Sequence, residues 1–254
     1  MRREIPILEF DATRRALIEP SEIVEHENLA EHTVICFFQD VLTTLIERGE
    51  LSQVSSSNSE IGEHPFYELR MNGQKLTVFH PGVGAPLGAA LLEEAIAKGC
   101  RKFIACGSAG VLNREIAVGH IVVPISAVRD EGTLYHYLPP SREVHPSGEA
   151  VRAIERVLER HGVPYVVGKT WTTDAFYRET PRKIAMRRDE GCVTVEMEAA
   201  AFFAVARFRE VTFGQILYSG DDVSGETWDS RHWNKRASVR EKLFWLAAEA
   251  CLEL

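Results

Sequence analysis

The 254-residue chain is 45% hydrophobic and 26% charged, an ordinary globular balance that excludes disorder, coiled coil and collagen-like folds. Its 29 Lys and Arg stand against 37 Asp and Glu, a net charge of −8, and no segment is strongly basic, so a duplex nucleic-acid footprint is not expected. Five cysteines with no CxxC pair indicate neither a zinc ribbon nor a disulfide framework, and with no apolar leader after Met1 and no uninterrupted apolar run near the roughly 18 residues of a span, the expectation is a soluble, cytoplasmic protein that avoids membranes.

In chain order, apolar runs of strand length fall at 34–38 (VICFF), 76–79, 103–106 (FIAC), 121–128, 165–167, 193–195 and 215–218. The serine-rich patch 55–59 reads as a surface loop. Helical patterns lie between the runs. Residues 87–98 place Leu91, Leu92, Ala95 and Ile96 on one face and stop at Gly99. Ser147 can cap a helix whose face carries Val151, Ile154, Val157 and Leu158, ending at Gly162. Residues 196–207 are apolar nearly all round, which predicts a buried helix, and 238–251 close the chain as an amphipathic one. Cys36, Cys106 and Cys192 sit in the apolar runs and read as buried thiols. Strands alternating with helices predict a three-layer α/β sandwich with a largely parallel central sheet, and no Pro/Gly linker splits residues 1–254 into two domains.

Sites of open α/β sheets form at strand carboxyl ends. Two glycine-bearing turns are placed there: 80–86, which contains Gly82 and Gly84, and 107–110, which contains Gly107, Ser108 and Gly110. Each can bring backbone N–H groups to an anion, or be only a turn, and neither matches a dinucleotide or P-loop pattern. Glu196 and Glu198 flank Met197 at a strand-to-helix junction, where two buried carboxylates are costly unless they bind something. Such a pair could hold vicinal hydroxyls, or be helix N-terminal acids. Asp221 and Asp222 follow the run 215–218 and suit general-acid work or a turn cap. The segment 172–178 offers Phe176 and Tyr177 either to stack a planar base or to fill core.

Taken together, VGAP with its helix, CGSAG, AVGHIVVP, TTDAFY, VEMEAAA and the strand ending in Asp221 resemble the purine nucleoside phosphorylase and uridine phosphorylase superfamily, which includes the methylthioadenosine/S-adenosylhomocysteine nucleosidases. The match covers residues 75–225, with 1–70 divergent. The resemblance implies an α/β/α sandwich with a mixed sheet, a homo-oligomer (a dimer or trimer of dimers), and cleavage of the N-glycosidic bond of a nucleoside without metal or cofactor. It makes Met197 the residue packed on the ribose and Glu198 the carboxylate on its 2′- and 3′-hydroxyls. Glu196 becomes an acid near the sugar or nucleophile, Phe176 the aromatic flanking the base, and Ser108, beside Gly107, the hydroxyl that meets phosphate or water. Gly82 belongs to the other matching glycine segment. Asp221, 25 residues after Glu196, takes the place of the acid that protonates a purine N7. Arg182 fits an arginine that reads uracil in uridine phosphorylases, although Thr180 replaces the accompanying glutamine, so Arg178 and Arg182 leave a pyrimidine open.

The arginines that hold phosphate in these relatives are not found at the corresponding positions around 36–40, at Ala105 or near Gly62. Phosphorolysis to free base and ribose 1-phosphate is the first expectation, with Arg129, Arg178 or Arg231 as substitute phosphate contacts. Hydrolysis by water, with Glu60 or Glu63 activating it, is the alternative. A nucleoside-binding module without chemistry is the second. His26, His32 and His64 are candidates to reach a neighbouring subunit's sugar site.

Overall fold

The computed structural model describes residues 3–254; Met1 and Arg2, part of the stretch read for a leader, lie outside the described residues. A short α1 (Pro20–Ile23) precedes β1 (His32–Cys36) and α2 (Gln39–Glu47). A meander follows, of β2 (Leu51–Ser59), β3 (Gly62–Met71) and β4 (Gln74–Phe79). Next come α3 (Ala85–Ala97), β5 (Lys102–Val111), β6 (Ile121–Asp130), β7 (Glu143–Val144) and α4 (Gly148–Arg160). The chain ends with β8 (Tyr165–Thr173), α5 (Pro181–Asp189), β9 (Cys192–Glu196), α6 (Ala199–Arg209), β10 (Thr212–Asp222) and α7 (Ala237–Leu252).

The strands form one sheet in the order β10-β6-β8-β9-β5-β1-β4-β3-β2, with β7 beside β6. β10 also pairs with β5, so the first five strands of that order close into a ring and the other four extend from it. The sheet is mixed, as the family resemblance implies, rather than largely parallel, as the alternation of strands and helices alone predicts. β1 runs parallel to β4 and β5, and β8 to β6 and β9, but β5/β9, β6/β10, β2/β3 and β3/β4 are antiparallel. The short connections of the meander permit only antiparallel pairing, since a parallel partner needs a crossover.

Side chains alternate across the strands into two cores. Val34, Cys36, Ile104 and Cys106 pack with α2, α4 and α7 on one face. Ile35, Phe103 and Ala105 pack with α3 and α6 on the other, which gives the three layers. Ala199 through Ala206 are all buried, so α6 is a core helix as its composition predicts, and each buried Phe such as Phe202 and Phe203 contributes about 2 kcal/mol. All five cysteines are buried and unpaired.

Three local expectations are corrected. Residues 55–59 are strand, not loop: they complete the β2–β3 hairpin, and their serines suit an edge strand with one solvated side. Residues 107–110 are not a turn but the continuation of β5. Ser147 occupies the N-cap of α4, yet its hydroxyl accepts the Phe213 N–H (3.0 Å), tying the helix to β10 instead of capping it.

Candidate active site

A cavity of about 750 Å³ opens near the carboxyl ends of β5, β8, β9 and β10. β5 supplies Ser108, Ala109 and Gly110 to its wall, and β9 supplies Val195 and Glu196, followed by Met197. The loop after β8 adds Phe176, Tyr177 and Glu179. The end of β10 and the loop beyond it add Asp221, Trp228 and Trp233. Phe176 is 49% exposed and Trp228 63%, so the aromatic side is the mouth.

Asp221 and Asp222 are adjacent on a strand, so they point to opposite sides. Asp221 faces the cavity, where Trp228 Nε1 donates to its Oδ2 at 2.7 Å. Gly110 lies opposite it: a Cβ there would crowd Val195 at 3.1 Å while meeting Asp221 Oδ1 at an ordinary 3.5 Å. Asp222 is ion-paired with Arg231 and accepts the Ser224 N–H at 2.8 Å. Burial alone would raise its pKa, but Ser224 and Arg231 together hold it below the usual carboxylate range.

The junction between β9 and α6 is built differently. Glu196 Oε1 accepts from Thr172 Oγ1 (2.6 Å) and Thr170 Oγ1 (3.5 Å), and Oε2 from the N–H groups of Glu198 (2.7 Å) and Ala199 (2.6 Å). Four donors from its own chain satisfy the acid and cap α6. The Glu196 carboxylate, expected to act near the sugar or nucleophile, is here bonded into the helix cap, and burial moves its pKa up despite those donors. Glu198, 6% exposed, turns toward the other glycine segment, and its Oε1 accepts the Gly84 N–H at 2.5 Å. Burial, then the neighbouring Glu196, pushes its pKa up to about 8.

Of the residues singled out from sequence, Asp221, Glu196, Met197, Phe176 and Ser108 meet at this cavity. Glu198 adjoins it through Met197 without forming its wall. Gly82, Gly107, Arg178 and Arg182 are not on the wall. Gly82 has φ +74°, and a Cβ would lie 2.2 Å from Leu87 Cδ2, so only glycine fits; its N–H is already given to His80 Nδ1 (3.0 Å) rather than held for an anion. Gly107 leaves space for Phe37, 3.1 Å from where its Cβ would be. Arg178 and Arg182 are exposed, in the short turn Phe176–Arg178 and at the start of α5. Arg129 bonds Pro139 O and Ser141, and Arg231 bonds Asp222 and Ile116 O, so neither is free for phosphate. Glu63 accepts from Gln53 on the hairpin (2.8 Å) and does not line the cavity.

Sequence reading missed Trp228, Trp233 and Glu179 of the wall. Two of the chain's four tryptophans within six residues, just after Asp221, were the available signal for the first pair. Glu179 lies next to a segment read only for its aromatics and arginine. Arg240 of α7 gave no sequence signal; its guanidinium sits 4.8 Å over the Phe38 ring and 3.0 Å from Asp40. Phe38 in turn packs on Tyr218 (5.8 Å), the β10 partner of Ser108.

The architecture is thus a ring-closed mixed sheet between helix layers, with an acid and aromatics around a strand-end cavity. The profile of the phosphorylase superfamily matches residues 31–249, and the chain belongs to that superfamily. It is 27% identical over 208 residues to a guanosine phosphorylase of Halorubrum lacusprofundi, covering 82% of this chain and 85% of that protein. It is 29% identical over 218 residues to a uridine phosphorylase of Thermococcus kodakarensis, covering 77% and 79%. The crystal structure of a uridine phosphorylase from Vibrio fischeri superposes with a TM-score of 0.76 at 23% identity, over 93% of this chain and 98% of that one.

Proposed function

We propose that the protein is a nucleoside phosphorylase: it transfers the ribosyl group of a nucleoside from the base to phosphate, releasing free base and ribose 1-phosphate. The observation that carries this reading is Asp221, a carboxyl facing an aromatic-lined cavity with one protein hydrogen bond and acceptor capacity to spare. In this mechanism Asp221 gives its proton to the leaving base as the glycosidic electrons move onto the ring. Phe176 packs on the base, Met197 on the ribose, and Glu198 accepts its hydroxyls. Glu196 is a positioning residue that fixes the Glu198 backbone. Ser108 meets the phosphate, and Arg240, near it by way of Phe38 and Tyr218, supplies the cation a dianion requires by exchanging its half-exposed partner Asp40 for the phosphate. The relatives' names support phosphorolysis over hydrolysis or mere binding, but they disagree on the base.

A homo-oligomer would let a neighbour finish the sugar's 5′ end. His64, bonded to Ser59 Oγ at 2.7 Å on the exposed hairpin, is the best-presented histidine for that role. Five buried free thiols suit a reducing compartment such as the cytoplasm. The test is a nucleoside panel incubated with and without phosphate. Base and ribose 1-phosphate formed only with phosphate are expected. Free ribose formed without phosphate would make the enzyme a hydrolase, and binding without turnover would leave a nucleoside-binding module.

A further inference from the structure

Resting on the nucleoside reading, we propose that Glu179 is the specificity-determining residue of the cavity: its carboxylate reads an edge of adjacent N–H donors, so the preferred base is a 2-amino-6-oxopurine. Glu179 follows the turn Phe176–Arg178 and precedes Thr180, whose Oγ1 accepts the Lys183 N–H at 3.4 Å and starts α5. Its backbone is thus held between two anchored elements. Its side chain is half-buried in the cavity wall, which it shares with Asp221 of β10.

The other acids nearby are already partnered. Asp130 is paired with Lys183 and Arg187, both at 3.0 Å, Asp222 with Arg231, and Glu190 with Arg187 at 2.9 Å. Glu179 has no hydrogen bond or ion pair from its carboxylate among the described residues. The charged groups that face it are Asp221 from β10 and Lys183 from α5, and Lys183 is committed to Asp130. Burial first, and then the facing Asp221, pushes its pKa up to about 7. A carboxylate left unpartnered in a partly desolvated wall is unfavourable until donors arrive.

An ionised carboxylate only accepts, and its two oxygens match two parallel N–H groups. Guanine carries adjacent donors, N1–H and the 2-amino group, and on its other edge the acceptor N7. The facing acids compete for one proton, and guanine decides where it sits: its N–H donors hold the charge on Glu179, which leaves the proton on Asp221 to be given to the acceptor edge. Adenine puts an acceptor at N1, which repels the carboxylate, and uracil sets its single N–H between two carbonyls.

The experiment compares wild type with Glu179→Gln, measuring phosphorolysis of guanosine, adenosine and uridine and, separately, binding of each through the fluorescence of Trp228 and Trp233. Wild type should favour guanosine, with its binding strengthening as pH rises through about 7 as Glu179 ionises. Glu179→Gln should lower guanosine kcat/KM about 10- to 100-fold, change adenosine by less than about threefold, and abolish that pH limb. Equal losses on all three nucleosides, or a wild type that prefers adenosine or uridine, overturn the inference while phosphorolysis stands. Guanosine-selective binding that depends on Glu179, without release of base, overturns the reaction and keeps the base reading. Absence of binding overturns both.

Discussion

The two ends of the cavity treat their acids in opposite ways. At the β9–α6 junction Glu196 receives four hydrogen bonds from its own chain, three of them at 2.7 Å or less. At the aromatic mouth Asp221 receives one, from Trp228, and Glu179 none among the described residues. Both ends are acidic, so charge does not separate them; the supply of internal donors does. An acid saturated by its own fold stabilises that fold, whereas one left with free acceptor or donor capacity toward a cavity awaits a ligand.

Asp221→Asn should break the comparison most sharply. It keeps the size and the Trp228 contact but cannot deliver a proton, so kcat on a purine nucleoside should fall by ~10²–10⁴-fold. A nitrophenyl riboside, whose leaving group needs no proton, should lose far less; equal losses would make Asp221 structural. Asp222→Asn should spare the chemistry and cost stability through the Arg231 pair.

Glu198→Gln tests the intermediate case, an acid with one internal donor from Gly84. With ribosides kcat/KM should fall by ~10²-fold, and with 2′-deoxyribosides by less, because one hydroxyl is already missing. Arg240→Ala should raise KM for phosphate about 10-fold or more, with a smaller change in kcat at saturating phosphate. An unaltered phosphate KM would remove Arg240 from the site.

The saturated end should respond in stability. Glu196→Gln should lower the melting temperature by roughly 3–8 °C, because it leaves buried donors of the α6 cap unpaired. Its kcat should fall much less than that of Asp221→Asn; the reverse order would make Glu196 the catalytic acid. The smallest effect concerns pH. Glu198, near 8, and Glu131, near 7 through burial, hold protons in the folded state that the unfolded chain, with carboxyls at the ordinary 4.5, has released. Their stabilising contribution is complete below 4.5 and is lost as pH rises through 7 and 8. The melting temperature should therefore decline between about pH 5 and pH 9, and Glu198→Gln should flatten the upper part of that decline. The difference between the two curves isolates Glu198 from groups of opposite sign such as His80, whose buried ring has a lowered pKa, and parallel curves would refute the assignment.

The sequence by itself determined the α/β class and the buried character of α6, and its family resemblance pointed to segments that meet at the cavity, the one ending in Asp221 among them. The class and the buried helix follow from period and composition, which act along the chain; the segments follow from the resemblance. Tertiary structure alone decided which strand pairs run antiparallel, the strand at 55–59, the continuation of β5 through Gly107 and Gly110, and the commitment of Glu196 to a cap. It also brought Trp228 against Asp221 and Glu179 into the wall. The physical reason is common to all of these. Whether a polar group is satisfied or waiting depends on donors and charges far away in sequence, such as Thr170 and Thr172 for Glu196, and spacing carries no information about them.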